Sequence, residues 1–215
     1  MLVRDSWLCQ ANPCGLGCRG NNIYSARAKL QAAISRMRNA ASALRQGGDR
    51  MYSAPLDAAS QDANPIDLVE TVALSKDWTV ERPSDQEAAM DVPGYWGEYG
   101  LFFAWSQDLE SLHFTCAFDI RIPKDRWPDV YELLAHLNER LWMGHFALWQ
   151  EDGVPIFRHT AMLRHGLNEE TLEELMDLAV EECERFHPAF QFLLGGGMTA
   201  RQAIDAAMLD TVGEA

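Results

Sequence analysis

No stretch of this chain approaches the ~20 consecutive apolar residues that a membrane-spanning helix requires. The opening, Met1-Leu2-Val3-Arg4-Asp5, lacks the apolar core of a secretory signal, so the expected location is the cytoplasm and no membrane partner is expected. Cysteine is sparse and unevenly placed. Cys9, Cys14 and Cys18 sit close together, whereas Cys116 and Cys183 stand far apart. A disulfide framework is therefore not expected in a chain of 215 residues. The Cys9-x4-Cys14-x3-Cys18 spacing has neither a C-x2-C pair nor a fourth ligand, so no metal is assigned to it. No internal repeat is evident.

Positive charge is also missing from most of the chain. Residues 1–50 hold eight Arg or Lys against two acids, a charge of +6, which leaves −20 for the other 165 residues. So acidic a surface repels phosphate backbones and excludes nucleic acid as its direct partner; it favours basic partners. The sign change marks a boundary. Residues 24–45 form a basic, alanine-rich stretch of helical character, in which Ile34 and Met37 supply little for an apolar face. The reading preferred for residues 1–63 is an extension without a fold of its own, with Met51 as a sensible alternative start.

From residue 64 the elements become legible. Asn64-Pro65 is an N-cap followed by proline at the first helical position. Ile66, Val69, Val72 and Ala73 recur at helical spacing behind it. Thr79 to Arg82 reads as extended until Pro83 interrupts it, and Glu87 to Val92 as a short strand. Trp96 to Trp105 is an aromatic strand. In Leu112 to Ile122, Leu112, Phe114, Cys116 and Phe118 alternate strictly with His113, Thr115, Ala117 and Asp119, as in an antiparallel sheet.

Asp125 is the expected cap of a helix carrying Val130, Tyr131, Leu134, Leu137 and Leu141. A hairpin over 142–163 follows. A further helix opens at Asn168, and Pro188 kinks or ends it. After Gly195-Gly196-Gly197, Thr199-x-x-Gln202 is a capping box for a last helix through Leu209. The order predicts an α+β fold: an antiparallel sheet of about five strands with helices packed on one face, over residues 64–215.

Four segments carry a family resemblance. They are Asn138-Glu139-Arg140-Leu141-Trp142-x-Gly144-His145-Phe146, Asp152-Gly153-x-Pro155-x-Phe157-Arg158-His159, Glu182-x-Glu184-Arg185-Phe186-x-Pro188-Ala189-Phe190-Gln191-Phe192, and the tail Leu209 to Ala215. From Asn64 onward the chain resembles the YbjN family of putative bacterial sensory transduction regulators, in its alphaproteobacterial form. The resemblance implies a fold similar to type III secretion chaperones, which are small acidic α+β proteins, often dimeric, that bind other proteins. It implies no catalytic residue.

Candidate sites divide into two classes. In the first, aromatic residues beside the strands anchor a protein partner or a second copy: Trp96, Trp105, Trp142 and Trp149, with Arg158. This is a non-enzymatic, protein-binding regulator that needs no cofactor. Its mechanism is burial of a partner segment against an aromatic sheet face. In the second, the 142–163 hairpin serves a metal- or small-molecule sensor or an enzyme. A three-residue loop at 151–153 would oppose His145 and His159 directly, whereas a two-residue turn would put them on opposite faces. Cys116 on an apolar strand face reads as an inert core thiol. Gly195 to Gly197 lacks the lysine and the preceding strand of a phosphate loop. The run Glu169, Glu170, Glu173 and Glu174 is a solvated helix face.

Overall fold

The computed structural model describes residues 64–163 and 166–210, together with Ala32, which is helical and exposed. Expectations that fall on the remaining residues, including Cys9, Cys14 and Cys18, lie outside the described residues. Asn64 caps the first helix, α1 (Pro65–Ser75), its side chain accepting from the Ile66 amide at 3.0 Å. This satisfies one of the donors that every helix start leaves open. Ile66, Val69, Val72 and Ala73 form the buried stripe. Asp67 and Glu70 on α1 hold Arg82 at 2.6 and 2.8 Å. Four strands follow: β1 (Val80–Ser84), β2 (Glu87–Pro93), β3 (Glu98–Ser106) and β4 (Ser111–Phe118). After a short 3₁₀ turn come α2 (Trp127–Asn138), β5 (His145–Trp149), β6 (Val154–Met162), α3 (Glu169–Gly195) and α4 (Ala200–Asp210).

The sheet has six strands rather than five, all antiparallel, in the order β1-β2-β3-β4-β6-β5. The extra strand is β1. Pro83 does not end it, because β1 is an edge strand and can spare a backbone donor on its outer side. The proline costs only a register irregularity between Glu81 and Ser84. Pro188 likewise sits inside α3 without ending it, and it is buried with Phe186, His187, Ala189, Phe190 and Leu193. The packing of those side chains offsets the roughly 3 kcal/mol that an internal proline costs a free helix. Asp125 is not a cap; it lies inside the 3₁₀ turn, and α2 starts with Arg126 in the cap position and no side-chain cap bond. The capping box before α4 forms, with the Thr199 amide donating to Gln202 Oε1 at 3.1 Å and the Gln202 amide to Thr199 Oγ1 at 3.4 Å.

Strand alternation sorts the sheet into two faces. Met90, Leu101, Phe103, Leu112, Phe114, Cys116, Phe146 and Phe157 point toward the helices and join their stripes in the main core. The thiols of Cys116 on β4 and Cys183 on α3 are free and buried there. Lys76, just past α1, ties that helix to Glu173 and Asp177 of α3 at 2.8 and 2.9 Å. The second face has its own cluster of Ala89, Phe102, Ala104, Ala117, Trp149, Val154 and Ile156, all contributed by strands. Among the described residues, the helices pack on the first face alone. No described helix is long and apolar enough to cross a membrane.

Candidate functional site

Among the described residues, Trp142 is the most exposed large apolar side chain, at 101 % of its free accessibility. It stands in the loop between α2 and β5, followed by Met143 at 40 %. Both ends of this loop are pinned. Before it, the Asn138 side chain brackets the edge strand: its Nδ2 donates to the Phe146 carbonyl at 3.1 Å, and its Oδ1 accepts from the Phe146 amide at 2.6 Å. After Trp142 and Met143, Gly144 adopts φ +67°, and a Cβ there would strike the Phe157 ring and, at 2.8 Å, the Arg158 carbonyl. The apolar pair is thus held out on a fixed turn. Asn138 also occupies the outward backbone groups of β5 at Phe146, which guards that edge against strand addition by another chain.

The other four anchors do not gather around Trp142. Trp105 points to the helix-covered face and is partly buried against the main core. Trp149 and Arg158 lie on the second face, with Trp149 only 7 % exposed. Trp96 sits in the β2–β3 turn, stacked 5.9 Å from His187 of α3 at an interplanar angle of 6°. Glu184, one turn earlier in α3, accepts from the Tyr95 amide at 2.6 Å. These contacts fasten the turn to α3. No single aromatic sheet face assembles from the five residues.

The 142–163 hairpin resolves the histidine question. Trp149 pairs with Val154, so the loop has four residues, Gln150 to Gly153, rather than two or three. Gly153, at φ +69°, makes this possible: its amide donates to the Trp149 carbonyl at 2.7 Å and its carbonyl accepts from the Ile122 amide at 2.8 Å. The resulting register pairs His145 with Arg158 and sends His159 to the opposite face, 5.6 Å from the Phe114 ring. The two imidazoles cannot share a metal. Among the described residues no group of three or more His, Cys, Asp or Glu is placed to hold one.

A polar group does form on the second face, and its centre is His113, which the alternation placed there without singling it out. One row across the sheet runs Glu87, Ala104, His113, Thr160; the next runs Ala89, Phe102, Thr115, Arg158, His145. His113 Nδ1 lies 2.8 Å from Thr160 Oγ1, and Nε2 lies 3.3 Å from Thr115 Oγ1. Burial, reinforced by the Arg158 guanidinium and by His145 and His159, lowers the His113 pKa to about 4. Burial lowers His145 and Arg158 as well. The neutral His113 imidazole, set between two threonine hydroxyls, is a donor and acceptor within the sheet face.

The YbjN family model, described as a putative bacterial sensory transduction regulator, matches residues 65–192. No curated protein matches the chain. Among solved structures, that of YbjN from E. coli, described as a putative transcription regulator, is similar to it with a TM-score of 0.42 and 9 % identity. The match covers 55 % of this chain and 85 % of that one.

Proposed function

The chain belongs to the YbjN family, and from that premise we propose that it is a regulator acting by protein contact rather than by catalysis. The observation carrying this reading is Trp142, fully exposed on a turn braced by Asn138 and Gly144. Holding a bare indole in water has no folding benefit, whereas a rigid aromatic anchor loses little entropy when a partner covers it. With Asn138 guarding the neighbouring strand edge, the partner engages side chains rather than adding a strand. The −20 charge of residues 51–215 selects a basic partner surface. The protein is a homodimer of the cytoplasm, where the buried free thiols of Cys116 and Cys183 stay reduced. In purified complex, Trp142→Ala is expected to weaken partner affinity by a factor of roughly 30 or more, the loss typical of a central aromatic anchor. His145→Ala with His159→Ala is expected to leave affinity unchanged. The reverse pattern would refute protein contact through this turn.

A further inference from the structure

The second face of the sheet points to an occupant supplied by the chain itself. We infer that residues 24–45, which lie outside the described residues except for Ala32, dock on that face as a helix. This inference is independent of the Trp142 turn, which lies beside the β5 edge.

The face has the character of a buried surface. Phe102 and Ile156 are each 3 % exposed and Ala104 2 %, although the described helices all pack on the opposite side. Half of its apolar residues are alanines, Ala89, Ala104, Ala117 and Ala147, and the Phe102 ring lies over Gly100. A helix with small side chains can approach such a surface closely. Among the described residues, the β1–β3 half of the face carries the acidic side chains Glu81, Glu87, Asp91 and Glu98.

Residues 24–45 match this surface in three ways. Ile34 and Met37 alone make a weak apolar face, but at about 100° per residue Leu30, Ala41 and Leu44 join them in one narrow stripe, which the alanines at 26 and 33 widen. Arg27, Arg38 and Arg45 flank it on one side and Lys29 and Arg36 on the other, opposite in sign to the acidic half of the face. Ala32 falls on the side away from the stripe, and it is helical and exposed. A helix of this length spans roughly 33 Å, enough to cross six strands spaced about 4.8 Å apart. The intervening chain up to Asn64 can extend some 60 Å, so reach is no obstacle, and tethering raises the segment's local concentration to the millimolar range. A second copy is the weaker occupant, because it brings another acidic domain instead of neutralising this one.

The test is made in the full chain, with Cys9, Cys14 and Cys18 replaced by serine and Ala104→Cys as a reporter on the face. Cys116 and Cys183 are wholly buried in the other layer and report unfolding. The reporter is expected to react slowly with a maleimide at every protein concentration. Ile34→Asp with Met37→Asp is expected to accelerate it at least tenfold while Cys116 and Cys183 stay protected. Ala32→Asp, on the far side of the segment, is expected to change the rate less than twofold. Should Ala104→Cys fail to fold, Ala147→Cys on β5 serves as the reporter. A reporter indifferent to Ile34→Asp with Met37→Asp would overturn the inference. So would protection that disappears on dilution, which would assign the face to a second copy.

Discussion

His187 on α3 should make this protein lose stability in mild acid. The ring is 5 % exposed, lies between Trp96 and Phe118 with centroids 5.9 Å away on each, and meets Tyr99 edge-on. Its Nδ1 is buried with no hydrogen-bond partner. Burial lowers its pKa from 6.5 to about 4. The unfolded chain therefore binds a proton that the folded chain refuses between those values, and stability rises with pH across the window. The contribution is present above the unfolded pKa and is lost as pH falls through 6.5 toward 4. Between pH 7.5 and 5 the loss amounts to about 2 kcal/mol, at 1.36 kcal/mol per unit of differential protonation.

His187→Phe keeps a flat ring between Trp96 and Phe118 and cannot take the proton. Urea unfolding of both proteins across this pH range gives a difference in which the carboxylates common to both cancel, including Glu184, whose pKa burial raises. The wild type is expected to lose about 2 kcal/mol more than the variant on acidification, or some 4–8 °C in Tm. Parallel pH profiles would show that the folded protein accommodates the imidazolium, and the reasoning from burial would fail.

Gly153→Ala is expected to cost roughly 2–4 kcal/mol, because φ is +69° and the added Cβ would lie 2.5 Å from the Ile122 carbonyl oxygen. Chemical denaturation measures it. Asn138→Ala leaves both outward backbone groups of Phe146 without their bracket and is expected to cost about 1–3 kcal/mol. It should also make the protein associate at high concentration through the exposed β5 edge, as read by light scattering.

Local signals in the sequence were legible and distant ones were not. The Asn64 cap and the Thr199–Gln202 box each involve residues within a few positions of one another, so their chemistry needs no tertiary knowledge. The strict alternation of β4 likewise sorted Phe114 from His113 correctly. The fate of His145 and His159 turned on one residue of loop length, which Gly153 settles by closing against Ile122, some thirty positions earlier. Pro188 reads as a kink or an end of its helix, and only the packing around it shows that the helix continues. Trp142 and Trp149 sit seven residues apart in one aromatic segment, yet one is bare and the other buried. No periodicity separates them, because the loop carrying Trp142 lies beyond the strand that carries Trp149.

Regulation by protein contact is tested most directly by the native mass of the protein gently isolated from its own cells, measured beside the Trp142→Ala form. The account predicts a stoichiometric second protein in the wild-type complex and its loss from the Trp142→Ala form, with the folded chain unchanged in both. A wild-type chain that carries only a metal or a small molecule, with the same mass excess after Trp142→Ala, would contradict it.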